Sequence, residues 1–427
     1  MSKFKPSLQL KLIIMNFLEF AIWGAYLTSQ GKYLGAIGFS ERIGYFFTVQ
    51  GIVSIFMPAI IGAIADRWVA PQKMLGFCHL IASVFMIATG YYGYSSGADA
   101  NFTTLFSLYT VSVAFYMPTL ALTNSVAYNL LDQAHMDSVK AFPPIRVWGT
   151  IGFIASMWFV DLTGFDKGPW QYVTSGVIGL ALAIYAFTLP NCIIEKNSEK
   201  KSLWDTMGLS AFTLFKSRKM AMFFIFSMLL GILLQITNGY ANPYISGFKE
   251  LPEYANAFFA KHSTILISLS QISEALCILL IPFFLKKYGI KVVMLLAMLA
   301  WVFRFALLGL GNPVSGVWLF FLSMIVYGIA FDFFNISGSL FVDNNTDSKI
   351  RSSAQGLFML MTNGLGAAIG TIAAQKVVNQ LVYSKTDMIA QYEGWRQAWF
   401  VFAGFALLVA ILFAILFRYK HTAEETK

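Results

Sequence analysis

The chain has 427 residues, 57% of them hydrophobic and 12% charged, with a formal net charge of +9 and a mean hydropathy of +0.65. So few charged groups cannot solvate the surface of a water-soluble protein of this length, which excludes a soluble enzyme or binding module and points to an integral membrane protein. The basic excess does not imply nucleic acid, because the Lys and Arg residues are spread over many short connections instead of forming one face.

The first apolar run, 8–30, follows a short basic stretch and has no small-residue cleavage site behind it, so it reads as a retained first helix. It carries Glu19 at membrane depth. The second run, 44–65, leads into Gly62-Ala-Ile-Ala-Asp66-Arg67. That string is similar to the signature loop of the major facilitator superfamily, where a glycine allows close helix approach and the Asp and Arg make charge contacts at the cytoplasmic gate. A polar, snorkelling helix end is the plainer reading of the same residues.

Runs at 72–94, 102–128, 145–164 and 170–190 complete a first set of six, each near the roughly 20 residues that cross a bilayer. The fifth run starts just after Pro143 and Pro144, which are tolerated in a first helical turn. Arg146, Thr150 and Phe153 then stand at i, i+4 and i+7, on one face. Arg146 is placed either to snorkel or to pair with Glu274 or a substrate oxygen.

A polar stretch, 191–218, carries Lys196, Lys200, Lys201, Lys216 and Arg218 and reads as a cytoplasmic linker; Lys219 closes the basic run. Six further runs follow at 219–247, 262–285, 289–310, 315–340, 352–380 and 395–418. The predicted organisation is therefore a six-helix bundle over 1–190, the linker, and a second bundle over 219–427. With the N-terminus inside, 20 of the 30 basic residues fall on the cytoplasmic side, which places both termini there. Between the eighth and ninth runs, Phe284-Leu-Lys286-Lys287-Tyr288-Gly289 keeps the basic residues and a glycine but lacks the acid, so the internal repeat is weak.

Polar groups in the second set recur at helical spacing. Gln235 and Asn238 are three apart, Gln271 and Glu274 repeat that spacing, and Tyr327, Phe331 and Asn335 form a stripe beside Asp332. Amides donate and accept at once and match hydroxyls or a base edge, and Phe153, Tyr327 and Phe331 offer stacking faces. An amide in a membrane helix also serves as an interhelical hydrogen bond worth about 0.6 kcal/mol. Glu19, Arg146, Glu274, Arg304 and Asp332 each cost several kcal/mol in hydrocarbon, so they are read as functional. Burial makes Asp332 able to take up a proton, and it is the leading proton carrier, with Glu274 and Glu19 in reserve. A permanent Arg304–Asp332 ion pair is the competing reading.

Cys78, Cys192 and Cys277 show neither a disulfide framework nor metal spacing, and the four histidines, His79, His135, His262 and His421, are too scattered to ligate haems. No phosphate-binding loop is present, so transport is passive or ion-coupled, and no cofactor is expected. A nucleophile with a His or second-acid partner is also missing, which argues against an enzyme. Six plus six helices with a central linker match the plan of secondary transporters.

Phe142-Pro-Pro-Ile-Arg146-Val-Trp-Gly-Thr150-Ile-Gly-Phe153, Gln235-Ile-Thr-Asn238, Ser270-Gln271-Ile-Ser-Glu274 and Phe331-Asp332-Phe-Phe-Asn-Ile-Ser-Gly338 resemble the nucleoside:proton symporter family of the major facilitator superfamily, above all its bacterial nucleoside permeases. The resemblance runs over nearly the whole chain. It implies an all-α fold of twelve transmembrane helices and proton-driven uptake of purine and pyrimidine nucleosides across a bacterial inner membrane, by a monomer in contact with lipid. It also implies that Arg146, Thr150, Phe153, Gln235, Asn238, Gln271, Glu274, Tyr327 and Phe331 contact the nucleoside and that Asp332 couples the proton. Glu19 departs from the pattern, since the family carries an amide there. The rival readings are a facilitator-type exporter of drugs or sugars and a nucleoside-binding membrane sensor.

Overall fold

Long apolar runs with no period-2 alternation form helices wherever they occur in this chain, because a backbone in lipid must satisfy its own N–H and C=O groups. The structure is a computed structural model that describes residues 4–193, 209–346 and 351–419. Its long helices are Phe4–Gly24, Ile43–Arg67, Pro71–Ser96, Phe102–Gln133, Ser138–Leu162, Trp170–Ala186, Arg218–Gly247, Ser263–Leu310, Val317–Asn344 and Met388–Leu416. Between the last two, Arg351–Met359 and Ala367–Val378 are joined through a π-helical stretch at Leu360–Gly366. Among the described residues nine helices are long and apolar enough to cross a membrane. The 48-residue Ser263–Leu310 helix bends at Gly289, whose φ of 74° is open to glycine and strained for other residues, so it supplies two spans. This order accommodates the twelve spans expected from the sequence. Large apolar side chains stand outward along these helices, among them Ile184, Leu279, Ile389 and Ile415, as a lipid-facing surface requires.

Two expected boundaries are corrected. The first helix stops at Gly24, and a separate Gln30–Ala36 helix follows. The chain turns between them, with the Ser29 N–H donating to the Tyr26 carbonyl at 3.1 Å and the Ser29 hydroxyl to Gln171 Oε1 at 2.8 Å. The fifth span begins at Ser138, not beside Arg146, and Pro143 and Pro144 lie inside it. The Asp137 carbonyl accepts the N–H groups of Lys140 and Ala141, so the helix has begun before the two prolines, which remove only later donors, a loss that membrane helices tolerate.

The chain divides into two compact units, Met1–Phe39 with Ile52–Leu203, and Ser40–Gly51 with Trp204–Lys427. In the first, Phe4–Gly24 packs along Ser138–Leu162, and Pro71–Ser96 packs against Phe102–Gln133 and Trp170–Ala186. Leu12, Met15, Leu75, Val126, Leu130 and Leu182 form its core. In the second, the two arms of Ser263–Leu310 pack on Val317–Asn344 and Met388–Leu416, over an aromatic core that includes Tyr244, Phe305 and Trp399. Gln375 ties Ser40–Gly51 into this unit: its Oε1 accepts from the Gly44 N–H at 2.6 Å and the Tyr240 hydroxyl at 2.8 Å, and its Nε2 donates to the Ser40 carbonyl at 3.1 Å.

Helix contacts are closest where side chains are missing. A Cβ on Gly152 would run into the Phe17 carbonyl, so this glycine sets the approach of Phe4–Gly24 to Ser138–Leu162. Gly152→Val is expected to cost about 1–3 kcal/mol of overpacking and to lower the thermal unfolding midpoint in detergent; an unchanged midpoint would show that the two helices are not held at this distance.

Candidate functional site

In the second unit the expected residues converge on three helices. Tyr327 and Phe331, one turn apart on Val317–Asn344, stack with ring centres 5.9 Å apart and planes 9° apart, giving one continuous aromatic face. Trp301 meets Tyr327 edge-on at 5.9 Å. Gln271 faces the Tyr327 hydroxyl, and Glu274 lies within electrostatic reach of both Tyr327 and Asp332. Gln271 and Glu274 are half-buried, as are Gln235 and Asn238 on Arg218–Gly247.

That partial exposure separates them from the structural amides. Asn242, one turn beyond Asn238, is buried and spends its side chain on Thr264 at 3.0 Å and Ser263 at 2.6 Å. Beside the stacked rings, Trp301, Phe331, Asn335, Leu234, Thr362 and Asn363 line a cavity of about 30 Å³. Asn335 belongs to the stripe read from sequence; Trp301, Thr362 and Asn363 do not. Nothing in their spacing marks them, because they come from two other helices and meet only when the unit folds.

Asp332 is 4% exposed, and its Oδ2 has no hydrogen-bond partner. A bare carboxylate oxygen in such a place is costly unless it carries a proton. The expected alternative, an ion pair with Arg304, does not form. Arg304 is fully buried and turns to neutral groups: Nη1 donates to the Ser323 carbonyl at 2.7 Å and to Ser270 Oγ at 3.3 Å, and Nε donates to Thr237 Oγ1 at 3.3 Å. Its guanidinium carbon sits 4.5 Å from the centre of the Tyr327 ring, a cation–π contact that holds that ring in place. Hydroxyls, a carbonyl and a ring face hold the cation, Nη2 is left without a hydrogen-bond partner, and no carboxylate is spent on it.

In the first unit the guanidinium of Arg146 lies 3.8 Å over the Phe20 ring, so this side chain is held by an aromatic face. Thr150, one turn on, is half-buried. Phe153 is buried and meets Trp23 edge-on at 6.4 Å, and Trp23 in turn meets Tyr116 at 6.2 Å. Asp66 and Arg67, the expected gate residues, end the Ile43–Arg67 helix, and their side chains lie outside the described residues. So do 194–208, the greater part of the expected linker.

Glu19 is placed differently from all of these. It is fully buried, and its carboxyl meets Thr119, Thr123 and His79. His79 was not among the residues singled out from sequence, since one histidine in an apolar span carries no spacing signal.

The profile of the nucleoside H+ symporter family matches residues 6–422. The chain belongs to that family. It is 42% identical over 426 residues to the nucleoside permease NupG of Escherichia coli K12, covering 98% of each chain. Against the xanthosine permease of the same organism it is 44% identical over 426 residues, covering 99% of this chain and 98% of the permease. The crystal structure of the nucleoside transporter NupG superposes with a TM-score of 0.87 at 42% identity, covering 97% of this chain and all of that one. This symporter-family chain therefore has the major-facilitator fold and is a membrane transporter, not an enzyme.

Proposed function

We propose that this protein brings purine and pyrimidine nucleosides into the bacterial cell together with protons, by alternating access across the inner membrane. It works as a monomer in lipid, with both termini and the 191–218 linker on the cytoplasmic side and the bundles over 1–190 and 219–427 as its two moving bodies. It needs no nucleic-acid partner. The positive-inside bias of the basic residues supports the orientation. The relatives' names, a nucleoside permease and a xanthosine permease, support the cargo.

The observation that carries the proton-coupled reading is the buried, unpartnered Oδ2 of Asp332 within electrostatic reach of Glu274 and Tyr327. A proton on Asp332 removes its charge and favours one conformation of the carrier. Nucleoside binding must favour the same one, since coupling requires differential affinity of two states for both ligands. Gln235, Asn238, Gln271 and Glu274 hydrogen-bond the ribose hydroxyls and base edge. Tyr327, Phe331 and Phe153 supply apolar faces for the base, and Arg146 and Thr150 add polar contacts. Asp66 and Arg67 act at the cytoplasmic gate.

In proteoliposomes, an inward proton gradient is expected to drive accumulation of radiolabelled uridine and adenosine above equilibrium. Asp332→Asn abolishes that accumulation while retaining exchange. Full proton-driven accumulation by the variant would remove Asp332 from the coupling role, and drug or sugar flux without nucleoside flux would favour an exporter. For recognition, Gln271→Ala and Asn238→Ala each weaken nucleoside binding by about 1–3 kcal/mol, the cost of a lost buried partner; unchanged affinity in calorimetry would return these amides to interhelical bonding.

A further inference from the structure

The polar core of the first unit is remote in sequence from every residue assigned above to Asp332 coupling, and it centres on a carboxyl and an imidazole. Glu19 Oε2 lies 2.7 Å from His79 Nε2 and accepts from Thr123 Oγ1 at 2.9 Å; Glu19 Oε1 lies 2.6 Å from Thr119 Oγ1. Both Glu19 and His79 are 0% exposed. The other titratable or charged groups facing them are Cys78 on Pro71–Ser96, Tyr116 on Phe102–Gln133, and Arg146 on Ser138–Leu162, which shares the field around Tyr116.

Two features leave room for a further proton in this cluster. Thr119 Oγ1 is 2.6 Å from Glu19 Oε1 and also 2.6 Å from the Tyr116 carbonyl, yet a hydroxyl has one proton to give. A proton on Oε1, donated to Thr119, frees the threonine proton for the carbonyl. At the other end, His79 Nδ1 is buried without a partner. His79 lines a cavity of about 10 Å³ with Ser83, Ser112 and Ser175, the scale of one water molecule.

A group of tyrosines stands beyond that cavity. One turn from the lining residues Ile22, Ser112 and Ser175, on three different segments, stand Tyr26, Tyr109 and Tyr172. The Tyr26–Tyr109, Tyr26–Tyr172 and Tyr33–Tyr172 ring centres are 6.0, 6.1 and 5.8 Å apart. The hydroxyls of Tyr33 and Tyr172 and the amide of Gln30 are buried without partners, and the Tyr26 hydroxyl faces Tyr109. This ladder ends beside the buried Lys32–Asp166 pair at 2.6 Å.

We propose that the Glu19–His79 dyad is a second proton-binding site, loaded from the serine-lined cavity beside it. In the empty form Glu19 is a carboxylate accepting the Nε2 proton of a neutral His79, and the dyad has a net charge of −1. One proton delivered by water binds His79 Nδ1 or Glu19 Oε1, and the dyad becomes neutral; no other bond changes. The site is separate from Asp332, so its failure and that of the symport reading are distinguishable: one shows in the protonation of two named side chains, the other in nucleoside flux.

The test is infrared difference spectroscopy of the purified full chain between about pH 8 and about pH 5, the interval in which histidine chemistry operates. The carboxyl C=O band and the imidazole ring bands are read together. The wild type is expected to gain a protonated-carboxyl or imidazolium signal that disappears in Glu19→Gln. His79→Gln, which keeps a donor toward Oε2, removes or shifts the same signal, and circular dichroism checks that both variants are folded. Superimposable difference spectra of the wild type and the two folded variants would overturn the proposal, because the dyad would then hold a fixed number of protons.

Discussion

An ionisable side chain in a membrane-spanning helix must be neutralised or surrounded by polar groups, and this requirement organises the interior of the protein. Three solutions appear. Arg304 is held by hydroxyls, a carbonyl and a tyrosine face, without an acid and with Nη2 unpartnered. Glu19 is given a histidine and two threonines. Asp332 keeps an unpartnered oxygen. The first solution is static, because a guanidinium held by neutral partners has no reason to lose its proton. The other two leave places where a proton can be added, and the proposed coupling chemistry is put there.

The division of labour has a structural cost that the helix contacts absorb. Arg304 is buried among Thr237, Ser270 and Ser323, which come from three helices, so those helices cannot slide independently without exposing its donors. The same guanidinium fixes Tyr327, and Tyr327 stacks on Phe331. The stacked Tyr327–Phe331 pair is thus held in place by a cation. In the first unit, Gly152 lets Phe4–Gly24 lie against Ser138–Leu162, while the helices carrying His79, Thr119 and Thr123 enclose Glu19.

Much of this was legible in the sequence, because hydropathy in a membrane chain reports helices directly. The spans and the stripe Tyr327, Phe331, Asn335 follow from run length and periodicity, and the family follows from its motif strings; Gly289 stood in the string between the eighth and ninth runs, where the structure puts a bend inside one continuous helix. What was not legible depends on contacts between helices. Arg304 and Asp332, on consecutive runs, invited an ion pair, but the side-chain hydroxyls that hold Arg304 have no sequence signature. His79 gains its meaning only from a carboxyl 60 residues away. The early end of the first helix at Gly24 and the early start of the fifth span at Ser138 were hidden because hydropathy does not register a turn held by Ser29 or the backbone bonds that begin at the Asp137 carbonyl.

The central claim is that proton and nucleoside move together through this chain, and the most direct measurement runs the coupling backwards. Proteoliposomes loaded with a pH-sensitive dye, at equal pH inside and out, receive external uridine with the membrane potential clamped. The account predicts that the inward nucleoside gradient carries protons with it and acidifies the lumen. Uridine entry with no change in luminal pH would contradict it and make the protein a passive nucleoside carrier.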